Sequence, residues 1–237
     1  MKTITKIICT LAFALVGYVM PAQAGSSDFS GIYGAIHASV NGVSMSGKHV
    51  GGSTYDQSES TEGQVGALMP LAGWEVGFNF PLGDTFFVSA GTKRVNGSAK
   101  LVDANTTGSG GANNLGGGGA NNGTGEGAVL TLMDPTEWYI QPSVSLFDNS
   151  AVFLKYGLVS AKFKTNGTIE AKNANLKGET VAIGTSTIAN NGIFLKTEAG
   201  ATWYENVRIT NVGGNATSTI EGDPLNAYGS VSIGYKF

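Results

Sequence analysis

Seven charged residues stand on the polar faces of segments whose other faces are apolar: Glu75, Lys93, Glu137, Lys155, Lys196, Glu198 and Lys236. Their chemistry is electrostatic. Inside a narrow closed sheet such acids and bases pair, because a buried unpaired charge is costly. Where some stay unpaired they line a thin hydrated path for ions or small solutes. Glu75 and Glu198 are expected to face partners among Lys93, Lys155, Lys196 and Lys236. Residues for covalent or metal chemistry are scarce. His37 and His49 are the only histidines, too few for a histidine-rich metal site, and no GxSxG elbow occurs. His37, on a polar face, has the chemistry of a base, but a lone histidine there more often hydrogen-bonds; His49 falls in a polar connection. We expect no catalytic residue, no metal and no cofactor.

The elements that carry these charges are strands. From Ala227 the C-terminal stretch alternates without a break, with Ala227, Gly229, Val231, Ile233, Tyr235 and Phe237 on one face. Tyr228, Ser230, Ser232, Gly234 and Lys236 take the other, as the period of two in a strand requires. Seven earlier segments behave alike, at about 29–45, up to 80, from 85, 136–146, 151–163, 178–188 and 193–204. Ile32, Ile36 and Val40 oppose Tyr33, His37 and Ser39; Trp138 and Ile140 oppose Glu137, Tyr139 and Gln141. Tight turns at Pro81–Asp84, Phe147–Ser150 and Asn190–Gly192 alternate with long polar connections. Pro142 falls inside a strand that closure should pair on both sides, which predicts a local bulge there.

Eight strands with short turns on one side and long loops on the other form the pattern of an outer-membrane barrel. The inverse arrangement is a soluble lipocalin-like barrel with its apolar residues inside. Two features oppose it: the charged, small-residue polar faces, and the aromatics near strand ends on the apolar faces. The latter are Trp74, Phe80, Phe86, Trp138, Trp203, Tyr235 and Phe237, expected to form interfacial girdles. The fold expected is all-β, an eight-stranded antiparallel up-and-down transmembrane barrel.

Lys2 and Lys6, the apolar run from Ile7 to Met20 and the Ala22-Gln23-Ala24 site read as a secretory signal peptide over 1–24, with the barrel over 25–237. The run is too short to span a bilayer, which takes about 20 residues as a helix. The single cysteine, Cys9, leaves with the signal, so no disulfide or thiolate chemistry is expected. Losing Lys2 and Lys6 from 14 basic residues leaves 12 against 17 acidic ones, a net of −5 without a basic cluster, which argues against nucleic acid. Between Gly108 and Gly127, 14 of 20 residues are Gly or Asn, a segment unable to bury enough apolar area to order itself. Lone Tyr55 is the one aromatic of the first connection, so these loops offer few anchors for a tight protein interface.

The ordered segments FSGIYGAIHASV, GWEVGFNFPLGDTFFVSAGTK, VFLKYGLVSAKF, IFLKTEAGATWYENVRIT and the terminal YGSVSIGYKF cover most of the mature chain. In that order, ending on Phe237, they resemble the opacity-protein-like family, akin to the OmpA/OmpX-type barrels. The resemblance implies insertion into outer-membrane lipid by the barrel-assembly machinery, with Tyr235 and Phe237 as the assembly signal. It further implies a Gram-negative cell surface, a monomer, and a non-enzymatic role in adhesion, shielding or envelope integrity. Loops that reach a surface ligand or phage, or a small passive pore, are further implications. The chain departs from relatives that carry a further C-terminal domain, since the sequence ends at Phe237, so cell-wall anchoring is not expected of it.

Overall fold

A computed structural model describes residues 25–50, 62–102, 129–147, 149–166, 173–210 and 219–237. The signal segment, the Gly/Asn-rich stretch and Tyr55 lie outside these residues. The strands are β1 (Gly31–Val50), β2 (Glu62–Leu82), β3 (Phe86–Asn96), β4 (Ser98–Val102), β5 (Val129–Phe147), β6 (Ser150–Asn166), β7 (Asn173–Ile188), β8 (Ile193–Tyr204), β9 (Val207–Thr210) and β10 (Thr219–Lys236). All pair antiparallel. β4 continues the line of β3 and β9 that of β8, β4 pairing with β5 and β9 with β10, and β1 pairs with both β2 and β10, so the sheet closes on eight barrel strands.

The stagger follows from the register. Pairs lead from Tyr33 through Gly77, Gly91, Tyr139, Gly157, Thr180, Thr202 and Asn226 back to β1 at Val43, ten positions beyond the start. A stagger of that size over eight strands tilts them about 40° from the barrel axis and leaves room inside only for side chains. Three short turns gather at one end, with the Ser26–Asp28 turn and Phe237; the four longer connections gather at the other.

Strands run further toward the long connections than the alternation predicts. β5 begins at Val129 rather than near 136, and β10 at Thr219 rather than 225. The physical reason is a reversal of hydropathy along each strand. In β6, Leu158 faces out and Lys155 in; beyond them Val159, Ala161 and Phe163 face in, and Ser160, Lys162 and Lys164 face out. In β1 the inward series changes from His37, Ser39 and Asn41 to Val43 and Met45. The β1–β2, β1–β10, β5–β6 and β6–β7 ladders continue across the reversal, so the barrel outlasts its apolar outer band and encloses an ordinary apolar interior.

Pro142 carries no bulge. Its neighbours keep step, Ile140 with Tyr156 and Ser143 with Phe153, while the proline's own rung to β6 is missing and its side chain is exposed. A missing N–H removes a hydrogen bond without requiring an extra residue. The ladder shifts elsewhere, between Ser145 and Phe147 and between Met133 and Thr136, where Asp134 takes a φ of 47° and meets Gly97 at 127°. Asp134 N donates to Gly97 O at 3.0 Å and Gly97 N to Asp134 Oδ1 at 3.2 Å, so each bulge satisfies the other.

A closed charge layer as the candidate functional site

Glu75 on β2, Lys93 on β3, Glu137 on β5, Lys155 on β6, and Lys196 and Glu198 on β8 all point into the lumen at one level, each at most 7% exposed. Glu75, Lys93 and Glu137 are consecutive rungs across three strands. The ion pairs of Glu75 and Lys93, however, cross the lumen. Lys196 Nζ lies 2.6 Å from Glu75 Oε1, and Lys93 Nζ lies 3.0 Å from Glu198 Oε1. Lys155 Nζ bridges Glu137 Oε2 at 3.0 Å and Glu198 Oε1 at 2.6 Å. Glu198 is the hub, with Lys196 a further 3.7 Å from its Oε2. Three acids face three bases, so the layer is neutral.

Ion pairs alone do not offset the desolvation of buried charge; further hydrogen bonds are needed. Tyrosines supply them. Tyr139 and Tyr228 donate at 2.6 Å to Glu75 Oε1 and Glu198 Oε1, and Tyr33 donates to Glu75 at 3.3 Å. Tyr33 and Tyr139 also hydrogen-bond each other through their hydroxyls. Lys93 lies 5.0 Å from the Tyr228 ring centre, and Lys196 lies 5.4 Å from that of Tyr139 and 4.9 Å from that of Phe153, within cation–π reach. Glycines make room for these rings: Gly77 is the rung partner of Tyr33, Gly91 of Tyr139 and Gly184 of Phe153. A Cβ on Gly77 or Gly91 would come within 2.6 Å of the facing hydroxyl.

The charge layer is sandwiched. Toward the short turns, Phe29, Tyr33, Phe87, Ala151, Ile188 and Phe194 pack together, with Phe29 stacked on Phe87 at 4.9 Å. The Ser26–Asp28 turn is pinned across this mouth by Ser26 N to Asp84 O at 2.6 Å and by its hydroxyl to Gly83 O. The cavity at this end measures about 30 Å³, room for about one water. Toward the long connections lies the larger apolar cluster, which includes Met45, Leu101, Leu130, Leu132, Phe163, Leu176 and Tyr204.

Six of the seven anticipated charges therefore meet in one cluster. Lys236 does not: it sits at the short-turn mouth, where its Nζ donates to Asp28 O at 2.8 Å, because the last strand position lies below the charge layer. The three tyrosines were missed as members, although alternation alone places Tyr33, Tyr139 and Tyr228 on polar faces. His37 is 4% exposed, with Nε2 3.3 Å from Arg94 O and its ring against Gly73. Buried there, it is out of reach of any macromolecular substrate. The side chain of His49 lies outside the described set. Among the described residues, no group of acids, histidines or cysteines is arranged to hold a metal ion.

The outer wall is apolar at the level of these charges: Ile36 is 67% exposed, Trp138 68% and Ile183 60%. Phe80, Phe86, Tyr235 and Phe237 ring the short-turn end, and Trp203 stands at the opposite end of β8. Trp74 and Trp138 lie further along the wall, Trp74 as rung partner of Arg94 and Trp138 of Leu158. They adjoin Glu75 and Glu137 in the chain and so sit on the outer wall beside the charge layer. A polar middle inside, an apolar band outside and a sheet closed on itself are what lipid demands of a spanning sheet. The molecule is a transmembrane β-barrel of the outer-membrane type, eight-stranded and closed, as the family resemblance implies.

No protein-family model and no curated protein matches the chain. Among solved structures it is similar to Ail, the attachment invasion locus protein of Yersinia pestis, at 5% identity over 81% of this chain and 98% of that one, with a TM-score of 0.37. The outer membrane protease OmpT of Escherichia coli aligns at 9% identity over 87% and 97%, with a TM-score of 0.47. Neisserial surface protein A aligns at 9% over 80% and 96%, with a TM-score of 0.33. At such values no residue role passes from them to this chain; its class rests on its own cross-section.

Proposed function

We propose that this protein is a non-conducting, non-enzymatic outer-membrane anchor that holds polar surface segments at the cell exterior, in an adhesive, shielding or envelope-stabilising role. The observation that carries the reading is the layering of the lumen: a neutral, cross-paired charge layer between two apolar packings. An ion crossing it would have to break pairs that are buried on every side. The small-pore reading needs a hydrated column, and the packed Met45–Leu101–Phe163 region above the charges opposes one. Export by the signal at 1–24, recognition of Tyr235 and Phe237 by the assembly machinery, and a monomeric state belong to the same proposal. Phe237 N donates to Ile32 O at 2.9 Å, so the terminal residue is seated in the closing seam, which suits such a signal.

The test is done on cells expressing the full chain. Protease shaving of intact cells should cut within the 103–128 or 51–61 segments and leave the barrel whole. Uptake of small solutes into proteoliposomes should match that of empty liposomes. Uptake above that background, or cleavage only after lysis, would overturn the proposal.

A further inference from the structure

The hydropathy reversal along the strands marks where the outer wall leaves the apolar part of the bilayer, and the wall just beyond it is not uniform. Lys100 on β4, Lys162 and Lys164 on β6, and Lys177 on β7 all face outward and are exposed. Lys100 and Lys164 flank Thr131 on its two sides, which sets them about 10 Å apart at the Cα atoms. Lys162 and Lys164 share a face about 7 Å apart. Lys177 is the rung partner of Ser160, diagonal to Lys162. The last large apolar outward residue of β6, Leu158, is four positions below Lys162; on β7, Val181 is four below Lys177.

No ion pair among the described residues takes any of these four lysines. Of the described carboxylates on this side, Asp134 lies 3.8 Å from Arg94, and Glu179 lies beside Tyr156 lower on the wall. Glu205 borders this face, its N donating to Lys177 O at 2.9 Å, while further round the rim Asp223 is exposed and Glu221 faces Arg208 at 3.4 Å. Lysine stems can lie along apolar wall while their ammonium groups reach a boundary layer. Four cations with no ion partner among the described residues, on β4, β6 and β7 across four adjacent barrel strands, at the height of lipid headgroups, complement a multiply phosphorylated headgroup.

We propose that Lys100, Lys162, Lys164 and Lys177 form a binding face on the outer wall for a phosphate-bearing glycolipid of the leaflet on the long-connection side. The proposal rests on the membrane placement of the barrel and is independent of whether the lumen conducts. The full chain is extracted from outer membranes in neutral detergent, alongside a variant carrying Lys100→Gln, Lys162→Gln, Lys164→Gln and Lys177→Gln, and a second with arginine at all four positions. Each is titrated with bisphosphorylated lipid A, with dephosphorylated lipid A and with inorganic phosphate. Heat-shifted gel mobility verifies that each barrel is folded.

The wild type should prefer the bisphosphorylated lipid by at least about tenfold, and the arginine variant should keep that preference. The glutamine variant should bind both lipids alike, and millimolar phosphate should not compete. Equal binding of both lipids by the wild type, or an unchanged preference in the glutamine variant, would overturn the proposal. Full competition by inorganic phosphate would also overturn it, by making the face a free-anion site. Should the glutamine variant fail to fold, Lys162→Gln with Lys164→Gln alone must lower the preference by at least about threefold for the proposal to stand.

Discussion

Glu198 takes contacts from Lys93, Lys155 and Lys196 and a hydroxyl from Tyr228, whereas Glu137 pairs with Lys155 alone. Neutralising a hub leaves several buried cations short of a partner, so unequal costs follow. Glu198→Gln should destabilise the barrel by about 3–5 kcal/mol, and Glu137→Gln by clearly less. Urea unfolding in lipid vesicles followed by gel mobility measures both, and equal losses would contradict the hub assignment. Gly157→Ala tests the packing beside it, since the new Cβ would lie 2.3 Å from Glu137 Oε1. It should lower stability by roughly 1–3 kcal/mol, the cost of overpacking. A neutral Gly157→Ala would mean that the Glu137 side chain is free to move away. At this scale the sequence displayed which residues were charged and inward, since alternation fixes the face. It could not display the partners: rung neighbours Glu75 and Lys93 pair across the lumen with Lys196 and Glu198 instead. That choice depends on the stagger, which no single strand encodes.

At the level of the strands, eight segments, three tight turns and the alternating connection lengths were readable because lipid enforces a strict period of two. The upper halves were not, since beyond Leu158 or Asn41 the apolar face becomes the inner one and the pattern changes phase. Asp134 conceals the change further in β5, where one extra residue re-aims the strand. Pro142 misled in the opposite sense: a proline in a paired strand suggested a bulge, but a lost rung was sufficient. The reversal itself makes a prediction. Phe163, 3% exposed within the upper apolar cluster, should cost about 3–5 kcal/mol when changed to Ala, while the outward Ser160→Ala should be near neutral. Matching small effects for the two would mean that the upper barrel has no packed core.

For the whole molecule, stability and closure come from the ladders and the three-layered lumen, and in the proposed role the connections are what is displayed. Removal of residues 108–127 should therefore leave assembly and heat-shifted mobility unchanged, because Gly and Asn side chains bring little apolar area to bury. Failure of that deletion to assemble would make the segment structural.

The central claim is that the lumen is shut by its own side chains. Planar-bilayer recording of the detergent-refolded chain from Gly25 onward tests it most directly. Stable insertion without discrete conductance steps is the result predicted for the wild type. Discrete steps whose size changes with Glu75→Gln or Lys93→Gln would contradict it, since those charges would then line an open path.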